Sequence, residues 1–181
     1  MMQKTVSELM MMLSLMSLMI STFKTQPVMS SETIYIRFNG SVEPPVSSIQ
    51  HDGRIYTFTA DVFDEIVVER NDIIIDGNGY NLQGSGSGYG FYLKSVEGVR
   101  IENVNILGFR GGIFIQDSSR NIILRNNITN NNDKYGISLS YASYNLILKN
   151  NLTDNDGSGI NVENNSFGNI IFGNLLERNG E

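Results

Sequence analysis

The chain has 181 residues, a formal net charge of −6, one His, no Cys and no Trp. That length suits one domain; an acidic balance without a basic cluster argues against nucleic acid as partner, and the lack of Cys excludes a disulfide framework and a thiolate metal site. All 8 Met lie in the first 29 residues and all 18 Gly lie after position 39, so two regions of different character are joined.

Residues 1–30 have the make-up of a secretory signal: Lys4 near the start, an apolar run from Leu9 to Ile20, then a polar stretch through Gln26 and Pro27. As a helix, that run would span about 18 Å, short of the roughly 30 Å hydrocarbon core of a bilayer. Glu8 abuts the run and no A-x-A site follows, so Val28 and Ser30 are the best cleavage candidates and a retained membrane anchor is the alternative. Either way the expected location is exported: cell surface, extracellular or periplasmic.

Residues 31–70 alternate β-branched or aromatic residues with polar ones at Thr33 to Phe38, Arg54 to Thr59 and Glu65 to Glu69. Asn39-Gly40 and Asp52-Gly53 punctuate these strands, and Pro44-Pro45 makes a rigid link. A strand-rich N-terminal cap is the expected role, because the first coil of a solenoid otherwise exposes core side chains and unpaired strand edges.

Residues 71–181 repeat. NIILRNNIT from Asn121 returns as NLILKNNLT from Asn145 and begins again at Asn169, while a G-apolar-x-apolar element recurs at Gly90, Gly112, Gly136 and Gly159. Its spacings of 22, 24 and 23, beside 26, 23, 24 and 24 for the series Ile75, Ile101, Leu124, Leu148 and Phe172, set a coil of 22–26 residues, a solenoid period. I-x-L patterns at Ile122 to Leu124 and Ile137 to Leu139 read as half-buried strands, separated by Asn, Asp, Gly and Ser turns. No segment here has the length or composition of a helix. The expected fold is all-β: a right-handed parallel β-helix with about three short strands per coil. Asn103, Asn126, Asn150 and Asn174 follow apolar strand positions at a constant offset of two, which predicts a structural ladder of stacked amides. Ile170 to Leu176 restarts the repeat and Glu177 to Glu181 supplies no cap, so downstream repeats or a second chain are expected to stack on Phe172 and Leu175.

The run IVVERNDIIIDGNGYNLQG, followed by repeated NIILRNNIT and YGISL units, resembles the right-handed parallel β-helix proteins. More narrowly it resembles exported, archaeal-type members with NosD-type or carbohydrate-binding-and-sugar-hydrolase (pectin-lyase-like) repeats. That resemblance implies a surface or periplasmic protein, and for NosD-type members a part in copper-site maturation. One His and no Cys beyond Met29 speak against direct copper binding by this segment. It also brings the polysaccharide-processing enzymes into view. The hydrolases among them need clustered aspartates with His-Gly and Arg-x-Lys, whereas the sole His51 precedes Asp52 and no Arg-x-Lys occurs.

Glycoside cleavage in general needs only two carboxylates at a suitable separation, and Asp117, Asp133, Asp154, Asp156 and Glu163 lie on successive coils. Asp in Asn/Gly-rich corners more often serves the turn itself, so no catalytic residue is assigned. Asp154-Asn155-Asp156-Gly157-Ser158-Gly159 imitates the opening of a calcium loop, but Asn165 stands where its closing Glu would be; calcium is the minority reading. Tyr89 and Tyr135 each precede the glycine of a coil and suit stacking on a sugar. The ligand-binding set is therefore Tyr89, Asp117, Asp133, Tyr135, Asp154 and Asp156, with a polysaccharide or surface glycan as expected ligand. The expected function is a non-catalytic binding and scaffold module; a polysaccharide lyase or hydrolase and a purely structural spacer are the alternatives.

Overall fold

The computed structural model describes residues 32–180; the signal-like run Leu9 to Ile20 lies outside them. Every regular element among the described residues is a strand, most of them three or four residues long. Each coil visits three sheets in one order, as in Arg100–Glu102, then Asn105–Leu107, then Gly111–Gln116, here called the first, second and third sheets. Strands pair in parallel with their equivalents one coil on: Ile101 with Ile123, Ile106 with Ile128, Ile113 with Ile137. The all-β parallel β-helix expected from the repeat is the fold, with seven strands in the first and third sheets and six in the second.

Residues 32–70 contribute to all three sheets. Ile55–Phe58, Val62–Phe63 and Ile66–Val68 pair in parallel with the next coil, and Ile34–Ile36 lies beside Ile66–Val68. Val42–Glu43 and Ile49–Asp52 run antiparallel and cover the outer edges of the third and first sheets, as the exposed backbone of a first coil requires.

The core consists of stacked columns, among them Ile75, Ile101, Ile123 and Ile147 from the first sheet and Leu82, Ile106, Ile128 and Leu152 from the second. The columns run out at Ile171 and Leu176, which are 43% and 49% exposed. The I-x-L reading of Ile122 to Leu124 needs correction: Ile123 is the buried residue, and Ile122 and Leu124 face outward. The third-sheet pair Ile137 and Leu139 does face inward, both fully buried.

Corners follow a rule. A residue in the left-handed region (Arg120, Arg125, Asn130, then Tyr144, Lys149, Asp154) is followed by an Asn that turns inward. Three amide ladders result: Asn121–Asn145–Asn169, Asn126–Asn150–Asn174 and Asn131–Asn155–Asn179. In the second, Asn150 Oδ1 accepts from the N–H and Nδ2 of Asn126 at 2.9 and 3.1 Å, and its own Nδ2 donates to the Ile123 carbonyl at 2.9 Å and to Asn174 Oδ1 at 3.0 Å. Left-handed backbone costs a non-glycine residue about 1–2 kcal/mol, which these buried hydrogen bonds offset.

Asn103 is not a rung. Asn126 Oδ1 accepts from the N–H of Val104, so Val104 holds the equivalent position and Asn103 occupies the turning position one residue earlier. There φ is 55° and the side chain reaches outward to Asp76 Oδ1 at 3.1 Å.

The recurring glycines have a separate cause. A Cβ on Gly136 would stand 2.7 Å from the Gly159 carbonyl oxygen and 2.8 Å from Leu152 Cδ2, and one on Gly112 would collide with the Gly136 carbonyl. Close approach of successive coils, not unusual φ, excludes a side chain from this column.

Candidate functional site

The outer face of the third sheet carries an aromatic cluster. Its exterior column runs Tyr35, Val67, Tyr92, Phe114, Ser138, Asn161. The rings of Tyr92 and Phe114 stack with centroids 5.4 Å apart and planes at 15°. Tyr89, from the parallel column, reaches Phe114 at 4.9 Å. It can do so because the residue beside it on the next coil is Gly111, where a Cβ would stand 3.0 Å from the Tyr89 ring. The rings are half-buried, with the faces of Tyr92 and Phe114 turned toward one another along the column. Tyr35 is less available, since the Arg37 guanidinium lies 4.0 Å over its ring.

Polar groups rim the cluster. The Tyr92 hydroxyl bonds to Gln116 Oε1 at 2.6 Å. Burial, and then the charge of Asp117, push the Tyr92 phenol up. Burial does the same to Tyr89; nearby Arg110 opposes it, while Glu65, Glu163 and Asp133 reinforce it. Both shifts favour the protonated phenol, and the Tyr92 proton is committed to Gln116. Beyond Phe114 the exterior column drops to Ser138, with Ser140 beside it, and then to Asn161, whose Nδ2 is buried without a partner. The aromatic column thus gives way along the axis to small polar groups, of which Ser138 and Ser140 are themselves buried.

Beside the cluster, under the turn Ser85 to Gly88, lies a polar recess of about 130 Å³ lined by Thr33, Asp64, Glu65 and Phe109. Glu65 Oε1 accepts from the Tyr89 N–H at 3.2 Å. Burial holds its carboxyl above the ordinary glutamate range, against that hydrogen bond. A carboxyl raised in this way binds its proton more tightly folded than unfolded, so its contribution favours folding at low pH and is lost as pH rises through the folded value. Glu65→Gln is accordingly expected to be neutral or stabilising at pH 7, with the difference vanishing in acid; denaturant melts of both proteins across pH 3.5 to 7 measure it.

The sequence-predicted ligand residues divide. Tyr89, Asp133 and Asp117 lie around the cluster. Asp133 pairs with Arg110 Nε at 3.0 Å, and Tyr135 lies two coils on from Tyr89 with Gly111 between them. Asp154 is elsewhere: it turns a corner between the second and third sheets and is gripped by Arg178 at 2.6 and 2.8 Å, which lowers its pKa. Asp156 is exposed just beyond. The calcium-like loop is threaded through that corner, with Asn155 turned into the core and Asp154 already paired with Arg178. Tyr92 and Phe114, the centre of the cluster, are absent from the predicted set; their shared place one residue after a buried strand position was the available signal.

A second, shallower groove of about 540 Å³ follows the corner between the first and second sheets, lined by Asn105, Asn127, Asn151, Arg125 and Lys149. It offers amides and cations but no aromatic face.

A long exterior sheet face bearing aromatic and polar columns, on stacked coils without a helix among the described residues, defines a repeat protein of the parallel β-helix class. The chain belongs to the NosD family, described as "Periplasmic copper-binding protein (NosD)", whose model matches residues 27–181. That periplasmic description agrees with the exported location expected from the sequence. No curated protein and no solved structure matches the chain.

Copper does not fit these coils. Among the described residues there is no group of three or more His, Cys, Asp and Glu side chains that could hold a metal. The sole His51 is an exposed residue stacked on Tyr56 at 5.2 Å, and imidazole, thiolate and thioether are the ligands that suit copper.

Proposed function

We propose that this protein is an exported, non-catalytic β-helix that binds carbohydrate on the outer face of its third sheet and serves as a scaffold. The observation that carries the reading is the stacked Tyr92–Phe114 pair with Tyr89 leaning over Gly111. The cluster offers apolar ring surface to the C–H faces of sugar rings, while the Gln116 amide nitrogen, Asp133 and the Tyr89 hydroxyl suit sugar hydroxyls. The repeat adds a geometric reason: exterior positions recur about every 4.8 Å along the axis, close to the advance of one ring in an extended glycan chain.

A glycan array followed by a reducing-sugar assay tests this. The wild type should bind at least one linear glycan without releasing reducing ends, and the double variant Tyr92→Ala/Phe114→Ala should bind about tenfold or more weakly, a loss of ~1.4 kcal/mol or more. Cleavage of the bound glycan would instead support a lyase or hydrolase using the rim carboxylates. No binding to any glycan would leave the structural-spacer reading.

A further inference from the structure

Four Asn-x-Ser/Thr sequons occur, at Asn39, Asn127, Asn151 and Asn164, and the fold treats them differently. N-linked glycosylation needs a carboxamide nitrogen that a transferase can reach. Asn127 and Asn151 open strands of the second sheet and are held in register between neighbouring coils. Asn151 Nδ2 donates to Asn127 Oδ1 at 2.8 Å, and the Thr153 hydroxyl donates to that of Thr129 at 3.4 Å; what sets Asn127 apart is not its nitrogen but its half-buried place in a strand paired on both sides, with Asn105 and Asn151. Asn164 Nδ2 donates to Ser140 Oγ at 3.0 Å, while the Ser166 hydroxyl donates to the Glu163 carbonyl at 2.6 Å and accepts from the Ala142 N–H.

Asn39 differs. It is exposed at the tip of the turn between Ile34–Ile36 and Val42–Glu43. Its Oδ1 accepts from the N–H of Ser41 at 3.0 Å, the Ser41 hydroxyl lies within reach of both Asn39 Oδ1 at 2.9 Å and Glu43 Oε1 at 3.0 Å, and Asn39 Nδ2 makes no hydrogen bond among the described residues. The adjacent Phe38 is 80% exposed, an apolar ring that a first sugar could cover. The tip is held from behind: the Tyr56 hydroxyl donates to the Gly40 carbonyl at 2.8 Å, and Arg70 donates to that hydroxyl at 2.9 Å.

We propose that Asn39 is an N-glycan attachment site, served by a polyprenyl-phosphate-linked glycan donor on the outer side of the membrane. A bond forms between Asn39 Nδ2 and the anomeric carbon of the donor. The anomeric C–O bond to phosphate breaks, the polyprenyl phosphate leaves with the electron pair, and the nitrogen loses one proton. A glycan here stands beside Val42–Glu43, the outermost strand of the third sheet, and shields an edge that otherwise invites pairing with another chain.

The test is intact-mass and glycopeptide analysis of the full chain exported from a host with an N-glycosyltransferase, alongside an exported control protein that is glycosylated in the same cells. One glycan increment is expected on the wild type and on Asn127→Gln and Asn164→Gln, and it should be lost in Asn39→Gln. Ser41→Ala should lose it with Asn39 in place and Ser41→Thr should keep it, so the result does not depend on how Asn39→Gln folds. An increment that survives Asn39→Gln, or an unmodified wild type beside a modified control, overturns the assignment. The readout is mass, so its outcome is separate from carbohydrate binding on the third sheet.

Discussion

Gly136→Ala is expected to lower the stability of the β-helix by about 3 kcal/mol, the upper part of the range for forcing atoms into a packed interior. The added methyl meets a backbone oxygen, that of Gly159 at 2.7 Å, and Leu152 Cδ2 at 2.8 Å on its other side. A flexible neighbour could yield, but the Gly159 carbonyl accepts the N–H of Ile137 at 2.9 Å. Moving it breaks the pairing of two coils. For a domain of this size the loss corresponds to a fall in Tm of roughly 6–12 °C, read by circular dichroism. Gly53→Ala is the control for chemistry without crowding: no atom lies within 4 Å of its Cβ position, so only the cost of its φ of 57° remains.

The second large effect is expected at Asn150. Alanine there removes four hydrogen bonds at once and takes from the Asn126 N–H and the Ile123 carbonyl their amide partner, while Asn126 Nδ2 keeps the Ile101 carbonyl and Asn174 Oδ1 keeps the backbone N–H of residue 150. Each buried polar group left unpaired costs about 1–3 kcal/mol. Local relaxation recovers some of this, so a net loss of about 3 kcal/mol is expected in urea melts. Asn103→Ala should cost under about 1 kcal/mol, because its amide makes one part-buried bond, to Asp76. Equal effects at the two positions would mean that stacking in the ladder contributes little beyond ordinary surface hydrogen bonding.

That contrast also marks where the sequence was legible. The period, the strand-and-corner alternation and the glycine column follow from spacing alone, and parallel stacking follows from the period. The register between coils did not. Inward first-sheet positions are Ile75, Ile101, Ile123, Ile147 and Ile171, a column that slips one residue from the series through Leu124. The cause is physical: Ile122, Ile123 and Leu124 are all apolar, so the two-residue alternation that tells inside from outside is lost. That slip placed Asn103 on the ladder. In the second sheet, where Asn127, Ile128 and Thr129 alternate cleanly, the inward residue is readable.

The candidate site was legible in part for a related reason. Tyr89 is conspicuous because it precedes a recurring glycine, but its use depends on the bare position at Gly111 one coil away. Tyr92 and Phe114 come together only through cross-coil pairing. Asp154 looked like a ligand residue in a polar hexapeptide; its partner Arg178 lies 24 residues on, and nothing in the local sequence reveals that grip.

In the coils that begin at Asn121 and Asn145, neighbouring corners place their inward amides five residues apart, at Asn121, Asn126 and Asn131, then at Asn145, Asn150 and Asn155. Each rung seeks only an identical rung above and below. A tandem duplication or loss of one whole unit therefore returns every amide to a matching partner, whereas an insertion of one residue inside a strand misplaces all that follow in that coil. Inheritance can lengthen or shorten such a molecule in whole steps while leaving its interior chemistry untouched, and variation is then free to accumulate on the outward columns.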